Sequence, residues 1–247
     1  MNEIQSLARG LKILEIMADA EQGVGVMELA NQMGFDKGTA SRMLQTLVKY
    51  GFAEKAADGR SYQLGPMVVH LSRSLINRMP LRETAKPYLR KLVEATGECA
   101  HLAIHAQDQA LYIDQVESPA TLRVNAEVGH MAPLHCTALG KALLAFGDYP
   151  LPSNLAKRTE MTIISPELLE AEMVKTRQRG YAIDDEEYDQ DVRCIAVPVF
   201  DFRDKVVGAI GVSGPTARVS PEKLNELAGI VIEIGHELSN RLKFKNV

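Results

Sequence analysis

Gly97 separates two kinds of hydrophobic pattern in this chain. Before it, apolar residues recur at the three- and four-residue steps of amphipathic helices. From Glu98 onward they alternate, as in strands with one buried face. Strands gathered in a cluster, with helices at both ends, predict an α+β domain with an antiparallel sheet rather than repeated βαβ units. The helical stretch before Gly97 must then form a separate head and a connector.

The head reads as three helices and a hairpin. Ser6 is placed to cap a first helix to about Ala20, with Leu7, Leu11, Leu14 and Met17 or Ala18 as its buried stripe. Gly23 and Gly25 end it. A short helix from Val26 to Met33 follows, with Gly34 as its C′ residue. Asp36 then caps a third helix that reaches Tyr50, in which Leu44, Leu47 and Val48 are predicted to face inward. Helix, glycine turn and helix make a helix-turn-helix unit. The third helix carries no carboxylate after Asp36. Lys37, Thr39, Ser41, Arg42 and Gln45 instead offer cations and hydrogen-bonding groups to phosphates and base edges. Asp58-Gly59 between two strand-like runs marks a hairpin, which completes a winged helix-turn-helix. Arg60 beside its tip is a candidate phosphate contact or a solubilising turn residue.

Pro66 to Arg78 reads as an apolar connector helix, and Pro80 breaks it. The domain plan is therefore a winged helix-turn-helix head over residues 1–65, a linker helix over 66–80, and an α+β sensor domain over 81–247. Leu81 to Thr96 is a further amphipathic helix. Strands are expected at Cys99–His105, Ala110–Val116, Thr121–Asn125, Cys194–Phe200 and Val206–Ser213. Helices are expected at Thr137–Phe146, Pro166–Arg179 and Pro221–Leu242.

The whole-chain charge of −4 argues at first against a nucleic-acid partner. Residues 1–80, however, hold 9 Lys/Arg against 8 Asp/Glu, a net of +1, while residues 81–247 hold 19 against 24, a net of −5. Phosphate contacts depend on the local face, so a near-neutral head with clustered cations suits DNA bound by several heads together. No long apolar run predicts a membrane span, and the first residues lack a secretion-signal layout. Cys99, Cys136 and Cys194 are odd in number and widely spaced, as in a reduced cytoplasmic protein.

Little points to an enzyme. There is no GxSxG and no phosphate-cradling glycine loop. His101 and His105 share a strand face, but no tight metal-ligand pair accompanies them. No catalytic residue, cofactor or metal is assigned. The acidic run Asp184–Asp191 sits before a buried-looking strand, where one or two carboxylates could turn into a small-ligand site. A metabolite-binding or metal-dependent enzyme with an N-terminal interaction module is the alternative reading.

These segments together resemble the IclR-type transcriptional regulators. The resemblance is carried by Ser6–Leu14, the helix-turn-helix, Tyr62–Gly65, Leu134–Ala142, and most specifically Gly180–Glu187 continuing to Cys194–Asp201. It implies a winged helix-turn-helix joined to a GAF-like effector domain. It also implies pairing through head and linker into homodimers or homotetramers on palindromic operator DNA, and control by a small organic acid. By position, the family's effector pocket falls on Ala138, Leu139, Asp184, Val192, Cys194, Gly211 and Ser213. Free N–H groups at the start of the Ala138 helix suit a carboxylate. This chain departs from the pattern at Asp36 and Gly38, where relatives have Pro and Ser, at Gln190-Asp191, where glycine is common, and at Gly211, where serine is frequent. The last departure implies a less polar pocket.

Overall fold

A computed structural model of the chain describes residues 3–76, 78–124 and 126–244. They form two compact units that divide between Arg78 and Met79.

In the first unit, α1 (Gln5–Asp19), α2 (Val26–Met33) and α3 (Lys37–Lys49) enclose Ile13, Met17, Leu29 and Leu44. Gly34 lies in the left-handed region at φ 66°, which ends α2 and turns the chain toward α3. Strands β1 (Val24–Gly25), β2 (Ala53–Lys55) and β3 (Ser61–Leu64) form a sheet in the order β1-β3-β2. Helix α4 (Pro66–Ile76) follows with no buried residue, and Asn77 lies outside the described residues.

Three expectations for this unit need correction. Helix α1 begins at Gln5 with Ile4 as its uncapped N-cap, so Ser6 does not cap it. The buried row is Ile13 and Met17, while Leu7 and Leu11 are 59% and 54% exposed. Two apolar rows compete on this helix, and the head's own core takes the second. Val48 is also exposed, because Ala40 and Leu44 already fill the inner face of α3. The two-residue strand β1 is too short to show a period, yet Val24 pairs with Tyr62 and is buried.

The second unit contains α5 (Pro80–Thr96), β4 (Cys99–Ala106), β5 (Gln109–Val116), β6 (Met131–Pro133), α6 (Ala138–Phe146), α7 (Pro166–Arg179), β7 (Ala182–Asp185), β8 (Val192–Phe200), β9 (Val206–Pro215) and α8 (Pro221–Phe244). Its six strands run in the order β6-β5-β4-β9-β8-β7, every neighbouring pair antiparallel. The strand period places Leu102, Ile195, Ile210 and Val212 under α5 and α8. The opposite face bears Ala103, Ala196 and Ala209 beneath α6 and α7. Small residues there let α6 lie close to the sheet.

Thr121–Val124 is not a strand, and Asn125 lies outside the described residues. The partner of β5 is instead Met131–Pro133. Leu122 is 64% exposed and its carbonyl accepts from the Arg218 guanidinium at 2.8 Å, so the local alternation has no sheet to join. The acidic run begins inside a strand: Ala182–Asp185 is the β7 edge strand paired with β8.

Candidate DNA interface and effector site

The start of α3 is held by a side-chain cap. Asp36 accepts from the Thr39 N–H at 2.9 Å and from the Thr39 hydroxyl at 2.7 Å. These bonds hold its carboxyl below the usual range, the hydroxyl contributing most. An acidic group at this end is thus occupied by its own helix. The Thr39 oxygen also accepts from the Arg42 guanidinium at 3.3 Å. Lys37, Arg42 and Gln45 are exposed, whereas Thr39 and Ser41 are half-buried.

At the hairpin, Asp58 accepts from the N–H groups of Arg60 and Ser61 and from the Ser61 hydroxyl. That turn leaves Arg60 exposed at the tip. Spacing alone did not reveal Arg9 on α1, whose guanidinium lies 4.8 Å over the Phe35 ring just before the α3 cap. A contact between separate helices leaves no mark in a local period.

In the second unit, the face beneath α6 gathers most of the polar pocket candidates at one end of the sheet. Ser213 pairs with Cys194, and Cys194 with Asp184, on three successive strands. Val192 opens β8 with its side chain on the same face. Thr137 caps α6 by accepting the Gly140 N–H at 3.1 Å, and its carbonyl takes the Lys141 N–H. Among the described residues, the amides of Ala138 and Leu139 have no such acceptor, although both residues are buried. At Gly211 a Cβ would stand 2.2 Å from the Ile195 carbonyl oxygen, so a serine does not fit this backbone.

Asp184 is 2% exposed and accepts from the Glu187 and Tyr188 N–H groups at 2.8 and 3.3 Å. Burial, reinforced by Glu187, pushes its pKa up to about 7. Burial also drives the Cys194 thiol well above its usual range, with Asp184 adding to the rise. The Cys136 thiol is pushed up to about 12 for the same leading reason.

Several side chains join this cluster that the motifs did not single out. The imidazole of His101 lies 2.6 Å from the Ser213 hydroxyl, and its other ring nitrogen is buried with no partner. Burial lowers its pKa to about 4, so it is neutral near pH 7. Tyr112 packs edge-on to His101 and to His130, and His130 bonds the Tyr188 hydroxyl at 3.0 Å. Lys141 is fully buried, 2.5 Å from Glu187 and 3.6 Å from Glu172, which also binds Arg179. A lysine inside an apolar helix was the available signal, because buried ammonium groups require partners. His105 stacks on Tyr149, apart from His101. Among the described residues, no three of His, Cys, Asp and Glu converge as metal ligands.

Comparison with known proteins gives consistent matches along the chain. Residues 6–57 match the IclR helix-turn-helix domain, and residues 73–240 match the bacterial transcriptional regulator IclR C-terminal domain. The chain is 37% identical over 243 residues to the HTH-type transcriptional regulator BhcR of Paracoccus denitrificans, covering 96% of this chain and 86% of the relative. Its structure resembles that of an IclR transcriptional regulator from Silicibacter sp. TM1040, with a TM-score of 0.83, 28% identity and 96% of each chain covered. It also shares its fold with an IclR homologue from Microbacterium hydrocarbonoxydans complexed with 4-hydroxybenzoate, with a TM-score of 0.77, 22% identity, and 96% and 99% of the two chains covered.

Proposed function

This chain belongs to the IclR family of DNA-binding transcriptional regulators, and from that premise we propose a division of labour among its residues. Arg42 and Gln45 read base edges from α3, while Lys37, Thr39, Ser41 and Arg60 contact phosphates. Thr39 also keeps Asp36 and Arg42 in place, so its part in binding is largely indirect. A small organic acid enters the second unit and alters the affinity or geometry of operator binding.

The free amides of Ala138 and Leu139 carry the effector reading. Two unpaired N–H groups at a buried helix start favour an anion. Ser213, His101 and Asp184 stand nearby with groups suited to a hydroxyl or oxo substituent, and Cys194 and Val192 supply the less polar wall. The 4-hydroxybenzoate bound by the Microbacterium homologue is an acid of this general kind. Catalysis has weaker support. A neutral, poorly basic His101 and two thiols far from ionisation make weak general bases or nucleophiles.

Pairing of heads would cover the exposed apolar residues Leu7 and Leu11 on α1 and Val69, Leu71 and Leu75 on α4. We take α4 as the linker helix of a homodimer or homotetramer on a palindromic operator in the cytoplasm. No helix among the described residues is long and apolar enough to cross a membrane.

Changing Arg42 to Ala is expected to weaken binding to an operator, selected by affinity from random duplexes, by about 1–3 kcal/mol. Unchanged gel-shift affinity would remove Arg42 from the recognition role. For the pocket, a thermal-shift screen of mono-, di- and aromatic carboxylates should find an acid that raises the melting temperature. Stabilisation of roughly 2.7 kcal/mol is expected at a hundredfold excess over Kd. A screen without any stabilising acid would overturn the effector assignment.

A further inference from the structure

We infer that Tyr188 and His130 form the gate of the effector site, and that their contact must break before an acid can enter. The inference rests on the effector reading above and adds a route of entry to it.

His101, Asp184, Ser213, Ala138 and Leu139 are each no more than 4% exposed. A ligand from solvent therefore cannot reach them in this arrangement. Tyr112 and Cys194, by contrast, are only half-buried.

A continuous line of rings leads outward from this depth. His101 touches Tyr112, Tyr112 touches His130, and His130 bonds Tyr188 at 3.0 Å. Tyr188 also borders a surface cleft of about 570 Å³, together with Arg158, Met161 and Gln190. The Arg158 guanidinium sits 4.8 Å over its ring. Tyr188 thus belongs both to the open cleft and to the line of rings that reaches the buried cluster.

The backbone is held on both sides of the gate, so its parting falls to the side chains. The backbone at Tyr188 is fixed from below by Asp184, and its neighbours' carbonyls accept from the Thr159 and Thr162 hydroxyls. His130 ends the long β5–β6 connection, where its carbonyl accepts from the Tyr112 N–H at 2.9 Å and its N–H donates to the Glu127 carbonyl at 3.1 Å, while the residue itself is exposed. Opening is accordingly assigned to rotation of the His130 ring away from the Tyr188 hydroxyl, followed by rotation of the Tyr188 ring. A wider acid requires a wider opening, so these two residues also select by size.

Alkylation of the full-length protein by N-ethylmaleimide, followed cysteine by cysteine in digested peptides, tests this without a known effector. Cys194 lies behind the gate. Cys99 accepts from the Ser118 N–H and reports general loosening of the sheet. Tyr188→Phe and His130→Ala should each speed Cys194 alkylation by about fivefold, the population that one hydrogen bond holds back, with Cys99 unchanged. The double variant should be no faster than the faster single variant, since both lose the same bond. An unchanged Cys194 rate, or equal acceleration of Cys99, would overturn the gate. Acceleration confined to Cys194 in a protein that no acid stabilises would uphold the gate and overturn the effector reading alone.

Discussion

Replacing Lys141 by Met is expected to destabilise the C-terminal unit by about 3–5 kcal/mol near pH 8, the range for removing one partner of a buried ion pair. Met approximates the lysine stem in volume, so the loss is mainly electrostatic rather than that of a cavity. Glu187 would remain buried without its ammonium partner, and one of its oxygens already lacks a hydrogen bond. Glu172 would still have Arg179 at 2.7 Å.

The pH dependence separates this cause from poor packing. Burial already raises the Glu187 pKa, and loss of Lys141 would raise it further. An acid whose folded pKa exceeds its unfolded value favours the native state when protonated. The penalty is therefore small near pH 4 and grows as pH rises through the folded pKa. Urea unfolding at several pH values should show that trend. Adding Glu187→Gln to the Met variant should recover most of the stability at pH 8. A loss independent of pH, or no recovery in the double variant, would rule out the stranded carboxylate as the cause.

A second large effect is expected from Asp184, whose pKa is raised from 3.8 to about 7. The sign is the same as for Glu187. Folding retains the Asp184 proton, so stability falls as pH rises from about 4 to about 7 and then levels. At 1.36 kcal/mol per unit, that shift corresponds to about 4 kcal/mol. Asp184→Asn cannot ionise, while its amide oxygen can still accept from Glu187 and Tyr188. The variant should match the native protein near pH 4 and exceed its stability near pH 8. Parallel stability curves for the two proteins would remove Asp184 as the source.

Local chemistry was readable wherever a short segment determines its own structure. The Asp36 cap, the Asp58 turn and the long helices all follow from residues a few positions apart. Strand partners depend on distant chain, so Thr121–Val124 looked like a strand and Met131–Pro133 did not. Helix α1 shows the same limit, because its two apolar rows are equivalent until the rest of the head selects one. Pocket candidates on adjacent strands could be named from the family pattern. The His101–Ser213 contact and the Tyr112–His130–Tyr188 line join residues from remote positions, and only folding reveals them.

The outermost strands of the six-stranded sheet carry a further consequence. At one margin β6 has three residues and ends in Pro133, which has no N–H to offer. At the other, β7 has four residues and ends in two aspartates. Neither presents a long apolar ribbon for another chain to extend, and such margins resist strand-to-strand aggregation. Copies of this protein can therefore be concentrated together without their sheets fusing. The proposed pairing through α1 and α4 uses helical surfaces, which can meet and separate without opening the fold.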